Sequence, residues 1–221
     1  MPVASTQPWV NWTWVHNHYG LIRHDVWEHL LLTVLAVAIG LGITMVLAAA
    51  ARAWHPLQGP LLGACGALYA VPSLALFALL VPITGFTTTT AEIGLVGYTL
   101  LILLRNLLTG LDAVPEEVRD AARGLGFSRR RMLTHVEFPL ALPALFAGIR
   151  VATVTTIGLV TVTALIGQGG VGSLLYDGFE RDFRTEELLG AVLAVALALS
   201  AAILLVGIEK LVTPWSARRA T

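Results

Sequence analysis

The chain has 221 residues, of which 56% are hydrophobic and 13% are charged, whereas an ordinary soluble domain carries roughly 25% charged residues. Together with a mean hydropathy of +0.77, this composition excludes a water-soluble fold and predicts an integral membrane protein. The 14 basic and 14 acidic residues balance, so the chain has no global basic field that would attract nucleic acid.

The first predicted element is an N-terminal segment, residues 1–28, that is rich in tryptophan and histidine. Its tryptophans are Trp9, Trp12, Trp14 and Trp27. Because an indole ring suits the headgroup layer, we expect this segment to lie on the outer leaflet as an interfacial helix. The histidines of the region are His16, His18, His24 and His29. They match no zinc-site spacing, so no metal site is predicted.

Five apolar segments follow, each long enough to cross a hydrocarbon core that needs roughly 20 helical residues. They cover residues 30–51, 57–82 and 93–111, part of 139–166, and 188–208. Pro72 lies inside the second segment and is predicted to kink it. Within these bounds the spans contain essentially no acidic residue. A proton-driven pump usually has ionisable residues such as Asp, Glu or His inside its spans, so this composition disfavours a pump. The sequence therefore predicts an all-α transmembrane domain over 29–211, followed by a tail at 212–221.

The orientation follows from the distribution of arginine and lysine. With the N-terminus outside, the cytoplasmic side carries Arg52, Arg119, Arg123, Arg129, Arg130, Arg131, Lys210, Arg218 and Arg219. The outer side then carries only Arg23, Arg181 and Arg184. The opposite orientation would put nine basic residues outside, so the prediction is N-terminus out and C-terminus in.

The longest polar stretch, residues 112–138, lies between the third and fourth spans. Pro115 suits the start of a helix, and Gly124 or Gly126 can supply its left-handed stop. Ser128 is then a plausible N-cap for a second helix, which Pro139 is expected to end or redirect. The pattern predicts two short helices joined by a glycine turn.

Two short helices with arginines in the second also suggest a DNA-binding helix-turn-helix. The stretch is tethered by a membrane span on each side, and no dimerisation domain sets a half-site spacing. A solvated loop that only fixes topology is the other alternative, but it would not need two capped helices. The sequence therefore favours a structured cytoplasmic connector and no nucleic-acid partner.

The connector resembles the "EAA" signature of ATP-binding-cassette importer permeases, which is Glu-Ala-Ala, three residues, Gly, nine residues, and Ile-x-Leu-Pro. Here the corresponding residues are Asp120-Ala121-Ala122, Gly126 and Val136-Glu137-Phe138-Pro139. Asp replaces Glu, Val replaces Ile and Phe replaces Leu, and each change keeps the charge or the apolar character. Residues 71–85, 103–115 and 138–175 further resemble the permeases for glycine betaine, choline, carnitine and related osmoprotectants.

The resemblance implies a type I importer fold in a prokaryotic cell membrane, with a coupling helix that docks into a groove on a cytoplasmic ATPase. It assigns coupling to Arg119, Asp120, Ala121, Ala122, Arg123, Gly126 and Pro139. The implied partners are two ATPase subunits, a second permease copy or close homologue, an extracytoplasmic substrate-binding protein and membrane lipid. ATP and magnesium belong to the partner ATPase, and no cofactor is expected in this chain.

A translocation pathway or gate is the least determined part of the prediction. Its candidate residues are Pro72, Ser73, Arg105, Asn106, Thr153, Thr156, Gly169 and Gly170. Arg105 and Arg150 lie near the bilayer, and each is either a structural anchor or part of an inner gate. The glycine loop after the fourth span is expected to help gate access, with a cysteine at Gly170 as the probe.

Two enzymatic interpretations are rejected, so no catalytic residue is predicted. Gly167, Gly169 and Gly172 satisfy G-x-G-x-x-G, with Glu187 at the expected distance. A dinucleotide fold also needs a parallel sheet with further βαβ units, and residues 151–166 are instead expected to form a membrane helix. The chain contains no phosphate loop of the G-x-x-x-x-G-K-[ST] type, so ATP hydrolysis is expected on a partner.

Two other functions remain open. One is a permease of another importer branch, for amino acids such as methionine. The other is a channel or secondary transporter that works without an ATPase.

Overall fold

The structure is a computed structural model that describes residues 8–215, and within this range it is all-α, with ten α-helices and no strand. The first five are α1 (Trp12–Asn17), α2 (Tyr19–Ala53), α3 (Gln58–Ala70), α4 (Ser73–Thr84) and α5 (Thr88–Asp112). The others are α6 (Glu116–Gly124), α7 (Arg129–Met132), α8 (Phe138–Val162), α9 (Val171–Arg181) and α10 (Arg184–Val212). Residues 1–7 of the predicted N-terminal segment and 216–221 of the predicted tail lie outside the described residues.

The described residues contain four helices that are long and apolar enough to cross a membrane, Tyr19–Ala53, Thr88–Asp112, Arg129–Ile166 and Arg184–Val212. The pair α3 and α4 forms a fifth span if the two are counted together. This count confirms the predicted all-α membrane domain. The helices extend beyond the predicted apolar segments, because polar residues at their ends continue the helical backbone outside the hydrocarbon core.

Pro72 interrupts the second span more strongly than a kink. Helix α3 ends at Ala70, and Pro72 precedes α4 with φ −57° and ψ 135°. Proline has no backbone N–H and disfavours the helical conformation of the residue before it. The chain therefore bends sharply between two separate helices.

Pro139 neither ends nor redirects the second short helix, contrary to the sequence prediction. Helix α7 continues through a π-helical segment, Leu133–Glu137, directly into α8. In this wider turn the N–H of Phe138 donates to the carbonyl of Leu133. The π segment lets the helix pass a residue that cannot donate a backbone hydrogen bond, so the connector and the fourth span are one helical rod.

The chain divides into two compact units. Within the described residues, unit 1 consists of 8–36, Val71–Val96 and Val154–Ser200. Its buried side chains include Leu32, Phe77, Leu95, Ile157 and Val171. Asn11 N–H donates to Thr185 Oγ1 at 2.9 Å, and Trp14 stacks on His18. The N-terminal residues that the structure describes are thus attached to the start of α10.

Within the described residues, unit 2 consists of Val37–Ala70, Gly97–Thr153 and 201–215. Its apolar core contains Ala48, Ala51, Cys65, Leu104, Leu107, Leu108, Leu111, Ala141 and Leu145. Alanines on α2 and α8 with leucines on α5 give close helix contacts, which is how helices associate in lipid, where no hydrophobic driving force acts between them. Leu133 and Phe138, which follow α7 in the chain, pack against this core.

Candidate functional site

The centre of the connector is a buried carboxylate, Glu137, in the π segment. Its Oε1 accepts hydrogen bonds from Arg52 Nη2 and from Arg119 Nε, each at 2.9 Å. Glu137 is only 7% exposed, so these ion pairs are largely removed from water. Arg119 also donates from Nη2 to the carbonyl of Leu111 at 2.8 Å. This Glu137 joint therefore ties the end of α2, the end of α5, helix α6 and the start of the α7–α8 rod.

Helix α6 carries its own network of surface ion pairs. Glu116 pairs with Arg119 at 3.1 Å and with Arg123 at 2.8 Å, and Arg123 also pairs with Asp120. The hydrogen bonds from Arg119 and Arg123 hold the pKa of Glu116 below its ordinary value. Hydrogen bonds to Glu116 and Asp120 raise the pKa of Arg123 above its ordinary value. These pairs hold the arginine side chains along the helix.

The turn after α6 depends on Gly126, as the sequence predicted. Gly126 has φ +77°, a left-handed conformation that favours glycine. The N–H of Phe127 donates to the carbonyl of Ala122, and that of Gly126 to Arg123, which is the Schellman pattern. Gly124 is not left-handed and ends the helix proper. Ser128 caps α7 as predicted, accepting from the N–H of Arg131 at 3.4 Å.

One face of α6 is exposed and carries Asp120 and Ala121, two of the residues that the family signature singles out. The exposed set is Glu117, Asp120, Ala121, Gly124 and Leu125. Ala122 is buried at 5% exposure, so the two alanines of the motif have different surroundings. Leu125 is 77% exposed and was not among the predicted coupling residues. The exposure of Leu125 could not be inferred from the sequence, because it depends on the turn at Gly126, which leaves the end of α6 uncovered.

In unit 2, the candidate pathway residues Arg105, Asn106 and Thr153 do not form a common cluster of hydrogen bonds. Arg105 is exposed, and Asn106 Nδ2 donates to the carbonyl of Ile102 within its own helix. Thr153 likewise donates to Ile149. The side chain of Asn106 lies against Gly148 of α8.

Arg150 has a partner that the sequence prediction missed. Its Nη1 lies 3.2 Å from Glu209 Oε2, and the two side chains are 35% and 23% exposed. Glu209 lies one residue beyond the predicted fifth span, and it lies in α10, which continues to Val212. The pair joins α8 to α10.

In unit 1, the candidate pathway residues are Pro72, Ser73, Thr156, Gly169 and Gly170. Thr156 is buried, at 1% exposure. Gly169 and Gly170 are buried as well. A Cβ on Gly170 would lie 2.7 Å from the backbone nitrogen of His29 and 2.8 Å from the carbonyl oxygen of Asp25. The glycine loop thus packs directly on the backbone of α2.

His29 joins α2 to α8 within unit 1. Its imidazole is fully buried, and Nε2 forms a hydrogen bond with the carbonyl of Ile157 at 3.1 Å. His29 therefore has a structural role within unit 1. His24, Asp25 and Glu28 place three possible ligand atoms within 4.8 Å of one another, but all three belong to one helix and His24 is exposed.

Helix α5 carries an acid that the sequence analysis left out of the spans. Glu92 lies four residues inside α5, one position before the predicted third span. Both of its carboxylate oxygens are buried and have no hydrogen-bond partner among residues 8–215. The expectation of spans with essentially no acid was wrong at this position.

Comparison with known proteins identifies relatives over almost the whole chain. Residues 38–215 match the family described as "Binding-protein-dependent transport system inner membrane component". The osmoprotectant import permease protein OsmW of Salmonella typhimurium is 35% identical over 205 residues, covering 90% of this chain and 94% of the relative. The glycine betaine/carnitine/choline transport system permease protein OpuCB of Bacillus subtilis is 30% identical, covering 91% and 93%.

The fold has relatives among solved structures. A chain of the MetNI methionine ABC transporter, in an inward-facing conformation, superposes with a TM-score of 0.79 at 20% sequence identity. The superposition covers 89% of this chain and 98% of the transporter chain. At this identity the likeness establishes the type I importer permease fold.

Proposed function

The chain belongs to the family of inner-membrane components of binding-protein-dependent transport systems, and from that premise we propose that it is the permease subunit of an ATP-driven importer of osmoprotectants. As a member of this family it is a multi-pass protein of a bacterial cell membrane. The observation that carries the proposal is that α6 has an exposed face and is fixed to the Glu137 joint. An ATPase subunit bound to this face could therefore move the spans through the joint.

The substrate class rests on the relatives. Two permeases that match about nine-tenths of this chain are named for what they transport: osmoprotectants in one case, and glycine betaine, carnitine and choline in the other. These compounds carry a quaternary ammonium group. The candidate pathway residues Ser73, Thr153 and Thr156 are neutral and weakly polar, which suits the passage of a zwitterion or a single cation.

The proposed partners follow from the family and from the surface of α6. Two ATPase subunits hold ATP and magnesium and receive α6, with Ala121, Gly124 and Leu125 in contact with the groove and Asp120 as a polar anchor. An extracytoplasmic binding protein delivers the substrate. A second permease, identical or homologous, completes the pathway, since homologous subunits commonly pair by twofold symmetry. This arrangement requires the predicted orientation, N-terminus out and C-terminus in.

The Glu137 joint explains how a movement of α6 reaches the spans. A displacement of α6 moves Arg119, which is bonded to Glu137 and to the carbonyl of Leu111 at the end of α5. Glu137 belongs to the rod that continues as α8, and Arg52 belongs to α2. ATP binding on the partner thereby biases the spans between two states through contacts that differ in those states.

The docking proposal is tested by co-purification of the tagged chain with its ATPase. We expect Leu125→Asp to lose the ATPase, because a charge would enter an apolar contact, and Leu125→Met to retain it. Normal recovery of the ATPase with Leu125→Asp would contradict docking through this face.

The transport proposal is tested separately in proteoliposomes that contain the permease, the ATPase and the binding protein. We expect ATP-dependent uptake of glycine betaine that unlabelled choline or carnitine reduces and methionine does not. Competition by methionine alone would assign the chain to an amino-acid branch. Uptake by the chain without any ATPase would show a channel or secondary transporter instead.

A further inference from the structure

A basic cavity of about 730 Å³ lies in unit 2 beside the end of α2. Its wall contains the guanidinium groups of Arg52, Arg119, Arg123, Arg129 and Arg130. Glu137 is the one acid in that wall. Such an excess of arginine in a membrane protein cavity favours an anionic ligand, because planar guanidinium groups match the oxygen atoms of phosphate.

Two of the five arginines have no carboxylate partner among the described residues. Arg52, Arg119 and Arg123 are paired with acids. Arg129 donates to the backbone carbonyls of Arg52 and Ala53, which are neutral groups at the end of α2. The side chain of Arg130 has no hydrogen bond or ion pair within residues 8–215. The cavity wall therefore carries two positive charges that no carboxylate of residues 8–215 neutralises.

An apolar crevice of about 260 Å³ adjoins the basic cavity. The two share Ala49, Arg52 and Leu133 in their walls. The crevice is otherwise lined mainly by Met45, Ala48, Leu107, Leu111 and Phe138. A soluble phosphate compound has no apolar part that could occupy this crevice, whereas a hydrocarbon chain would fill it.

Trp54 indicates the level in the bilayer at which this two-part cavity lies. It follows the last residue of α2, precedes His55 in the wall of the basic cavity, and is 61% exposed. Exposed tryptophans at the ends of apolar helices lie at the headgroup level of the bilayer. The basic cavity thus lies where lipid phosphates lie, and the crevice runs along the apolar parts of α2 and α5.

We propose that this two-part cavity binds one anionic glycerophospholipid, with its phosphate against Arg129 and Arg130 and part of an acyl chain in the crevice. Basic pockets between membrane helices bind anionic headgroups in this manner. The lipid then contacts the same Arg52 and Glu137 that form the joint to α6. This inference does not depend on the identity of the transported substrate.

The test is native mass spectrometry of the full chain in detergent, with phosphatidylglycerol or phosphatidylcholine of identical acyl chains added. We expect one phosphatidylglycerol to be retained in preference to phosphatidylcholine. Arg130→Gln should weaken its retention about five-fold, since one basic residue near a membrane surface contributes on the order of 1 kcal/mol. Arg131→Gln is the matched control, because Arg131 has the same charge in the same short helix but does not line the cavity.

A second pair of variants tests the crevice without changing charge. Ala49→Phe fills the junction of the two cavities and should lower retention, whereas Val46→Phe, on the 69% exposed Val46 of the same helix, should not. Equal retention of both lipids, or equal loss in Arg130→Gln and Arg131→Gln, would overturn the site. So would equally tight binding of glycerol 3-phosphate, which shares the phosphate but has no acyl chain. Loss of the ATPase rather than of lipid in Arg130→Gln would assign the cavity to the ATPase instead.

Discussion

Arg119 Nε lies 2.9 Å from Glu137 Oε1, and this contact joins the one amphipathic surface helix of the connector to the rod that becomes α8. The same oxygen also accepts from Arg52. The two arginine side chains are only 16% and 21% exposed, so loss of the carboxylate would leave two guanidinium groups poorly hydrated. The contact is therefore both a structural support and a direct link from α6 to the rod that becomes α8.

Glu137→Gln is expected to destabilise the protein and to uncouple substrate uptake from the ATPase. Removing one partner of a buried ion pair costs on the order of 3 kcal/mol, and here two pairs lose the same anion. We expect a lower midpoint of thermal unfolding in detergent and a large loss of ATP-dependent uptake in proteoliposomes. Glu117→Gln, at an exposed position on α6, is the control for stability and should leave the unfolding midpoint unchanged. An unaltered unfolding midpoint for Glu137→Gln would show that the joint contributes nothing to stability.

The sequence predicted the fold class and the connector well, because these depend on local patterns. Runs of apolar residues predicted the spans, and Gly126 with Ser128 predicted the turn and the cap. The π segment before Pro139 was not predictable, since a wide turn has no compositional pattern and the rule for proline favoured a stop. The helix instead continues through a wider turn, in which the N–H of Phe138 donates to the carbonyl of Leu133.

Gly126→Ala is expected to weaken the turn that presents the exposed face of α6. Alanine in the left-handed conformation costs about 1 kcal/mol, although no atom lies within 4 Å of the position where its Cβ would stand. The penalty is therefore conformational, with no steric clash. It should appear as a lower unfolding midpoint and weaker co-purification of the ATPase.

The matched control for that change is Gly124→Ala, in the same connector. Gly124 has helical geometry and equally open surroundings. Alanine is favoured over glycine in a helix by up to about 1 kcal/mol, so this variant should be neutral or more stable. Equal destabilisation by both changes would mean that the left-handed turn is not what Gly126 supplies.

Gly170→Ala is expected to disrupt unit 1. The added Cβ would lie 2.7 Å from the backbone nitrogen of His29, and a backbone atom of a long helix cannot rotate away. Overpacking of this kind costs about 1–3 kcal/mol, and the positive φ of Gly170 adds strain. Gly158→Ala, with no atom within 4 Å of its Cβ position, should be tolerated in the same thermal assay. Normal stability of Gly170→Ala would show that the loop moves freely off α2.

This packing also changes how the gating hypothesis for the glycine loop is tested. A cysteine at Gly170 would distort the contact it is meant to report. Gln168 is a better probe, because its side chain is partly exposed and its Oε1 accepts from the hydroxyl of Thr88 at 2.7 Å. Crosslinking of cysteines at 88 and 168 should respond to ATP if the loop gates access, and indifference to ATP would reject gating.

The sequence indicates some parts of the candidate site more readily than others, for a physical reason. Five of the seven predicted coupling residues, Arg119 to Arg123, lie on one short helix, so a linear motif finds them. Their partners, Arg52 and Glu137, are distant in sequence from Arg119, and nothing local indicates that the three meet. Glu92 and Glu209 were missed because they lie just beyond apolar runs while the helices continue past those runs.

The Arg150–Glu209 pair gives a last prediction, on how α10 is attached to α8. Arg150→Glu places two carboxylates together at a site where both side chains are mostly buried, and like charges repel. We expect this variant to lower the unfolding midpoint, with a coupling energy of about 1 kcal/mol in a double-mutant cycle. The exchanged variant Arg150→Glu with Glu209→Arg should recover most of the loss, because the ion pair is restored with reversed polarity.

If the exchange fails to restore stability but Arg150→Gln retains full uptake, the arginine acts through lipid headgroups and not through Glu209. If stability is restored and uptake is not, Arg150 also serves the pathway, since a purely structural anchor would recover both properties together.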